Sequence, residues 1–222
     1  MAKVFIGVGH GGSDPGAVAN NVKEKDLNLS IALACRDLLV KHGVSVKMSR
    51  SKDENDTISE EVAECNAYAP DLAVDIHNNA GGGDGGEVFY HHGGGKGKTL
   101  AENILAEMVK VGQNSRGIKT RTNSNGKDYY AFIRNTSCPS VIVECAFVDN
   151  ASDLKILATE SQRKSMGEAI AKGILKTLGV EIQSEKSTLY RVQVGAYMVK
   201  ANAEDMHRKL KAIGFDAFIV KE

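Results

Sequence analysis

No sign of charge dominates this sequence: 28 Lys and Arg balance 28 Asp and Glu across 222 residues, for a net charge of zero. That balance excludes a global electrostatic pull toward nucleic acid or an anionic membrane surface. No apolar run is long enough to cross a bilayer. The N-terminal stretch Met-Ala-Lys-Val-Phe-Ile-Gly-Val-Gly-His has too short an apolar core for a signal peptide and no small-residue cleavage site. The expectation is synthesis in the cytoplasm and, for work outside the cell, release by another route. Cysteine is sparse and unpaired in pattern. Cys35, Cys65, Cys138 and Cys145 contain no Cys-x-x-Cys spacing, which argues against a thiolate zinc cluster and reads as buried thiols in a reducing compartment. Glycine runs at 81–86 and 93–97 lack the spacing of a P-loop or a dinucleotide fingerprint and read as mobile loops beside a cleft.

What is present suits one or two soluble domains, with 42% hydrophobic and 25% charged residues. Residues 4–9 read as a strand, followed by a turn-rich loop at 10–16. Asp26 is a plausible N-cap for a helix whose Leu27, Ile31, Cys35, Leu38 and Leu39 share one face, with Gly43 as its stop. Val44, Val46 and Met48 alternate as a strand; Ile58, Val62 and Cys65 mark a helix; residues 72–76 form a third strand. Further strands are expected at 87–91, 129–134 and 140–143. Helices are expected around Leu100, Ile104, Leu105 and Met108 and over 161–178, the latter stopped by Gly179. Strands separated by helices imply right-handed crossovers, so the fold class is α/β with a mostly parallel twisted sheet flanked by helices.

Four residues then stand out. His10 and His77 follow apolar strands, Glu144 closes the apolar run Ser140-Val141-Ile142-Val143, and Glu24 lies between the first strand and the first helix. In a parallel sheet the carboxyl ends of the strands share one edge, where such folds bind ligands. Two imidazoles and a carboxylate form a common catalytic zinc set with a position left for water, and a second carboxylate near that water acts as its base. The count therefore matches one ligand set plus one general base. Taken alone, Glu24 between Lys23 and Lys25 reads as a solvated surface charge, whereas a carboxylate ending an apolar strand is costly unless paired or metal-bound. Rival assignments are His91 or His92 as a ligand, of which only one could face inward on a strand, and a thiol hydrolase using Cys138 or Cys145. Cys145 alternates with Glu144, so both cannot face one site.

These residues resemble the zinc-dependent N-acetylmuramoyl-L-alanine amidases, the family of sporulation autolysins and many phage endolysins. The resemblance rests on Gly9-His10-Gly11-Gly12 with Asp14-Pro15-Gly16, Glu24-Lys25-Asp26-Leu27-Asn28-Leu29, Ser49-Arg50 with Asp53, Asp75-Ile76-His77-Asn78-Asn79-Ala80, Gly86-Glu87-Val88-Phe89-Tyr90, and residues 139–144 with Phe147 and Asn150. It implies His10, Glu24 and His77 as Zn²⁺ ligands, Glu144 as the general base, and Asn79, Glu87 and Arg134 as substrate-binding residues. The implied reaction is hydrolysis of the amide joining N-acetylmuramic acid to the first L-alanine of the peptidoglycan stem. The implied setting is a phage endolysin or an autolysin; the rival readings are a zinc-fold peptidoglycan binder without turnover and a zinc peptidase cutting within the stem. The chain departs from the family pattern at Gly7-Val8, at Asp75 and in the 61–63 region. None of these removes a ligand or the base; each bears on what supports the zinc and positions the substrate.

Residues 1–179 thus read as the catalytic domain and 180–187 as a linker. Residues 188–222 read as a βαβ piece, with strands at 189–197 and 215–220 around a helix at 202–213. This tail resembles half of a SPOR-type peptidoglycan-binding domain, carried by Tyr190-Arg191-Val192-Gln193-Val194-Gly195-Ala196-Tyr197, Ala203 and Phe215-Asp216-Ala217-Phe218. A piece this short does not usually fold alone. It is expected either to pair with a second chain, giving a homodimer, or to dock on its own catalytic domain.

Overall fold

Alternation along the strands decides which side chains meet which layer. In the computed structural model, which describes residues 1–182 and 192–221, β1 (Lys3–Val8) sends Val4, Ile6 and Val8 to one face and Phe5 and Gly7 to the other. A two-residue hairpin, β2 (Val18–Ala19) and β3 (Val22–Lys23), leads into α1 (Glu24–Lys41). There follow β4 (Ser45–Met48), α2 (Ile58–Tyr68), β5 (Leu72–Asn79), β6 (Gly86–Tyr90), α3 (Gly95–Lys110), β7 (Ser115–Lys119), α4 (Ala131–Asn135), β8 (Ser140–Phe147), α5 (Ala151–Leu157) and α6 (Glu160–Leu178). The main sheet has six strands in the order β4-β1-β5-β8-β6-β7. β4, β1, β5 and β8 run parallel; β6 pairs antiparallel with β8 and parallel with β7, so the last two strands run the other way.

The two faces are covered unequally. Helices α1, α3 and α6 pack through Ile31, Cys35, Leu100, Ile104, Ile170 and Ile174 onto the Val4, Val74 and Val143 face, forming the main core. The opposite face carries a smaller cluster, in which Cys65 of α2 and Phe132 and Ile133 of α4 cover Phe5, Ala73, Phe89 and Ile142. The residues of this cluster lie toward the amino ends of β1, β5 and β8. Farther along, this same face carries polar groups.

Several expectations change on contact with the structure. The first helix begins at Glu24 rather than after Asp26, and Lys23 caps it without a side-chain bond. Loop carbonyls satisfy its first donors instead: Glu24 N donates to Ala17 O at 2.9 Å and Lys25 N to Pro15 O at 3.2 Å. The 129–134 strand is not formed. Residues 131–134 fall in the short helix α4, because adjacent Phe132 and Ile133 both bury against the second face, which an alternating strand would not allow. β7 escapes sequence reading because Ser-Arg-Gly-Ile-Lys has no apolar alternation. Helix α5 does have a readable start, since the Asn150 side chain accepts from Ser152 N and Asp153 N. The 81–86 run is pinned rather than loose: Asp149 Oδ2 accepts from Gly81 N and Gly82 N, and the Asp153 carboxylate accepts from Gly85 N.

Contacts divide the chain into Met1–Gln183 and Ser184–Glu222. In the second unit, residues 183–191, with most of the linker and the start of the 189–197 strand, lie outside the described residues. The expected helix is present as α7 (Lys200–Ala212). Residues 192–197 and 215–220 are not in strands. A strand needs a neighbour to take its backbone hydrogen bonds. Val192, Val194, Met198, Phe215, Phe218 and Val220 are all exposed. Among the described residues, no helix is long and apolar enough to cross a membrane.

Candidate active site

Strand register assembles the first part of the site. His77 of β5 lies opposite Glu144 of β8, and Glu144 lies opposite Glu87 of β6, so three strands place three polar side chains in a row on the second face. Neither His77 nor Glu144 is at a strand end, since both strands run on to Asn79 and Phe147. The antiparallel direction of β6 is what brings Glu87, near its amino end, to this row. Just beyond β1, Gly9 N donates to Ile76 O at 3.1 Å, and a Cβ at Gly9 would stand 2.1 Å from His77 Cε1. The His77 ring occupies the space that any larger residue at position 9 would need.

His10 enters from the loop after β1, with its backbone in the left-handed region at φ 62°. Buried Arg50 holds that loop by donating to the carbonyls of Val8, Gly9 and Lys25 at 3.0, 3.2 and 2.9 Å. Asp53 accepts from Gly12 N and from Lys25 Nζ, fastening the far side of the loop to α1. Glu24, at the first turn of α1, is only 4% exposed despite its lysine neighbours. Its Oε1 lies 3.1 Å from His77 Nδ1 and its Oε2 3.2 Å from His10 Nε2. Asn78 N and Ala17 N donate to the same carboxylate at 3.1 and 2.9 Å. The outer ring nitrogens are held as well: His10 Nδ1 by Asp14 Oδ2 at 2.8 Å and His77 Nε2 by Asp75 Oδ2 at 3.1 Å. Each imidazole therefore turns one nitrogen inward and fixes the other on a carboxylate, the arrangement that sets the tautomer of a metal-binding histidine.

His10, Glu24 and His77 offer ligand atoms that all lie within 4.8 Å of one another. Bonds of about 2.0–2.2 Å in a tetrahedral site put ligand atoms about 3.3–3.5 Å apart, so inward-facing pairs at 3.1 and 3.2 Å fit a metal ion. Electrostatics agree. Burial opposes the Glu24 charge, yet hydrogen bonds from both histidines and from Ala17 N hold its carboxyl well below the usual range. Burial also disfavours a His77 imidazolium, but the carboxylates of Asp75 and Glu24 outweigh it and raise the pKa well above normal. The pocket is built for positive charge between these groups.

Glu144 is different. Burial pushes its carboxyl up to about 7; the His77 charge opposes this, and the carboxylates of Glu24, Asp75 and Glu87 add to it. Its Oε2 is buried with no hydrogen-bond partner. An unpartnered carboxylate oxygen beside the ligand cluster, with affinity for a proton near neutrality, has the properties of a general base.

The other sequence expectations divide. Asn79 Nδ2 donates to Glu87 Oε1 at 3.1 Å, and Glu87 Oε2 accepts from Arg116 Nε at 2.7 Å and from Lys119 Nζ. Arg116 and Lys119 come from the unforeseen β7, so no sequence signal pointed to them. Arg134 Nη1 donates to the carbonyls of Asp128 and Tyr129 at 2.7 and 2.8 Å, bracing the loop before α4. His91 and His92 lie past the end of β6, so strand alternation does not separate them. Both turn to Asp128 Oδ2, at 3.0 and 2.8 Å, with their rings stacked at 4.6 Å. Their spacing with Asp128 would also admit a metal ion. However, His91 Nδ1 accepts from Gly93 N at 3.0 Å, so its proton sits on Nε2 and points at Asp128, which makes this a hydrogen-bonded clamp. Cys145 is buried in the main core, away from the face of Glu144, and burial raises its thiol well above the usual range; Cys138 neighbours Cys65 beside the smaller cluster. The thiol-hydrolase reading has no geometry behind it.

Comparison with known proteins decides the family. The N-acetylmuramoyl-L-alanine amidase family profile matches residues 4–176. The chain belongs to the N-acetylmuramoyl-L-alanine amidase family. A sporulation-specific N-acetylmuramoyl-L-alanine amidase of Bacillus subtilis is 35% identical over 224 aligned residues, covering 99% of this chain and 85% of that protein. The endolysin of Bacillus phage SPP1 is 33% identical over 190 residues, 82% of this chain and 68% of its own. The catalytic domain of CwlV, an N-acetylmuramoyl-L-alanine amidase from Bacillus (Paenibacillus) polymyxa, superposes with a TM-score of 0.73 at 28% identity, over 82% of this chain and all of that domain. A SPOR-domain profile matches residues 150–221, its first part falling on α5 and α6 of the catalytic unit. The amidase is thus a peptidoglycan hydrolase with a SPOR domain at its C-terminus. It cleaves the bond between N-acetylmuramic acid and the L-alanine of the stem peptide.

Proposed function

We propose that the amidase is zinc-dependent, with His10 Nε2, His77 Nδ1 and Glu24 as the ligands and Glu144 as the general base. The observation that carries this reading is the pair of inward contacts to one buried carboxylate, 3.1 Å from His77 and 3.2 Å from His10, beside a carboxylate oxygen with no partner. Zinc, when bound, supplies polarisation of the scissile carbonyl and a water of near-neutral pKa. Glu144 would take the proton of the attacking water and return it to the departing L-alanine nitrogen, without which the amine is a poor leaving group. Glu87, in register with the base, and Asn79, which donates to it, line the path along which the stem peptide lies. Arg134 contributes by holding the 128–130 loop beside it. Arg116 and Lys119 keep Glu87 ionised, its carboxyl drawn below the usual range against the cost of burial.

Digestion of purified peptidoglycan tests this. Free stem peptides beginning at L-alanine, released alongside glycan strands with free lactyl groups, are expected, and chelator should abolish their release until zinc is restored. Fragments cut within the stem would instead indicate a peptidase.

The tail supports a second step. Its exposed Val192, Val194, Phe215 and Phe218, and the segments at 192–197 and 215–220, which join no sheet among the described residues, suit pairing with the tail of another chain to complete one SPOR sheet on the wall. Sedimentation of the full chain at micromolar concentration is expected to give a dimer that Phe218→Asp dissociates. A monomer at every concentration would exclude this pairing. The enzyme acts on the wall after leaving the cell through release or lysis, as an endolysin or an autolysin does.

A further inference from the structure

The space behind the His77 ring holds two carboxyl groups. Asp75, two residues before His77 on the same face of β5, is 2% exposed, and Glu61 of α2 is 5% exposed. Gly7 of β1 lies opposite Asp75 in register. A Cβ at Gly7 would stand 1.8 Å from Glu61 Oε1 and 2.8 Å from Asp75 Oδ1, so the glutamate tip fills the place a side chain at position 7 would take. Glu61 Oε1 and Asp75 Oδ1 are both buried, and no N–H or hydroxyl donor reaches either. The other Asp75 oxygen, Oδ2, lies 3.1 Å from His77 Nε2.

Two acceptor-only atoms do not pair with each other when buried; a proton on one carboxyl makes it the donor to the other. Asp75 already accepts from the His77 ring through Oδ2, which leaves Glu61 as the donor of the pair; burial, reinforced by the neighbouring Asp75 charge, shifts the Glu61 carboxyl in the same direction. We propose that Glu61 and Asp75 are positioning residues for His77. Glu61 occupies the room left by Gly7 and fixes Asp75, which in turn fixes the ring so that Nδ1 faces His10 and Glu24. Three positions at which this chain departs from the family pattern therefore act as one unit: a glycine in β1, a glutamate in α2 and an aspartate in β5. His10 has a weaker counterpart, since Asp14, its outer partner, is 65% exposed.

This inference rests on the reading of His77 as a zinc ligand. The test is the zinc dissociation constant of the full chain, measured by competition with a chromogenic chelator, with the unfolding midpoint of the metal-free protein measured alongside. Asp75→Asn, which lacks the charge that orients Nε2–H, and Glu61→Ala are each expected to weaken zinc about 10–100-fold, the usual effect of removing an outer partner of a metal ligand. Glu61→Gln, whose amide still donates to Asp75, is expected to stay within about threefold of wild type, since the donor role is kept. If Glu61→Ala does not fold, Glu61→Met keeps the volume without the donor and takes its place. Wild-type zinc affinity in Asp75→Asn and Glu61→Ala, even with a lower metal-free midpoint, would overturn the proposal, because Glu61 would then be a packing residue only. Equal losses in Glu61→Gln and Glu61→Ala would overturn the donor role. His77→Ala separates the two levels: if it retains zinc, the ligand reading itself fails; if it releases zinc while the other variants hold it, only the present inference fails.

Discussion

Glu144→Gln is expected to retain zinc and lose turnover by about 10²–10⁴-fold, the usual contribution of a positioned general base. The substitution is nearly isosteric, and Glu144 Oε2 has no hydrogen-bond partner to disturb, so the fold and the ligand set have no reason to change. What it removes is proton affinity beside the attacking water. The pH profile carries the same argument. A general base works only when deprotonated, so kcat/KM falls as pH drops through its pKa. Burial, abetted by the nearby carboxylates of Glu24, Asp75 and Glu87 and opposed by the His77 charge, lifts that pKa to about 7 in the metal-free protein. A cation held by His10, Glu24 and His77 favours the ionised form and moves the value down. The acid limb of wild-type kcat/KM is therefore expected below pH 7 but above the range of an ordinary glutamate, and it should vanish from the residual rate of Glu144→Gln. Turnover close to wild type in Glu144→Gln, with zinc bound, would remove Glu144 from the mechanism.

Glu24→Ala is expected to abolish zinc binding and activity together. Glu24 touches both inward-facing imidazole nitrogens, at 3.1 and 3.2 Å. It is also the acceptor for Asn78 N and Ala17 N, at 3.1 and 2.9 Å. Removing it leaves those donors without their partner, at a cost of about 1–3 kcal/mol for each that stays buried. The metal-free variant should therefore unfold earlier than wild type as well as fail to hold zinc. Glu24→Gln separates the effects: the amide oxygen still accepts from the backbone, so stability should largely return, while zinc affinity should not. Stoichiometric zinc in Glu24→Ala after dialysis against a chelator that wild type withstands would rule out Glu24 as a ligand.

These two glutamates show how far the chain could be read before its structure was known. Glu144 stood out locally, as a carboxylate closing four strand-forming residues. Glu24 did not; between Lys23 and Lys25 it looked like a surface charge, and it becomes a buried group only because the β2–β3 hairpin folds the loop carbonyls of Ala17 and Pro15 onto the start of α1. That is also why Asp26 does not cap the helix. Apolar runs located β1, β5 and β8, and alternation located β4, because each buries one or both faces. That pattern missed β7, an edge strand whose polar sequence takes its conformation from β6 alone, and misread residues 129–134, of which Phe132 and Ile133 bury side by side on the short helix α4.

By itself, the sequence determined the class of fold and the nearness of His10, Glu24, His77 and Glu144 to one another, because strand direction and side-chain alternation are local properties that carry their geometry with them; the roles proposed for the four come from the family resemblance. Only the tertiary structure decided what surrounds those residues. The reversed direction of β6 brought Glu87 beside Glu144, β7 supplied Arg116 and Lys119, and the absent side chain at Gly7 made room for Glu61 to reach Asp75 behind His77. Each of these contacts joins segments far apart in the chain across strand pairings or helix–sheet packing, and no periodicity within a single segment encodes where another will meet it.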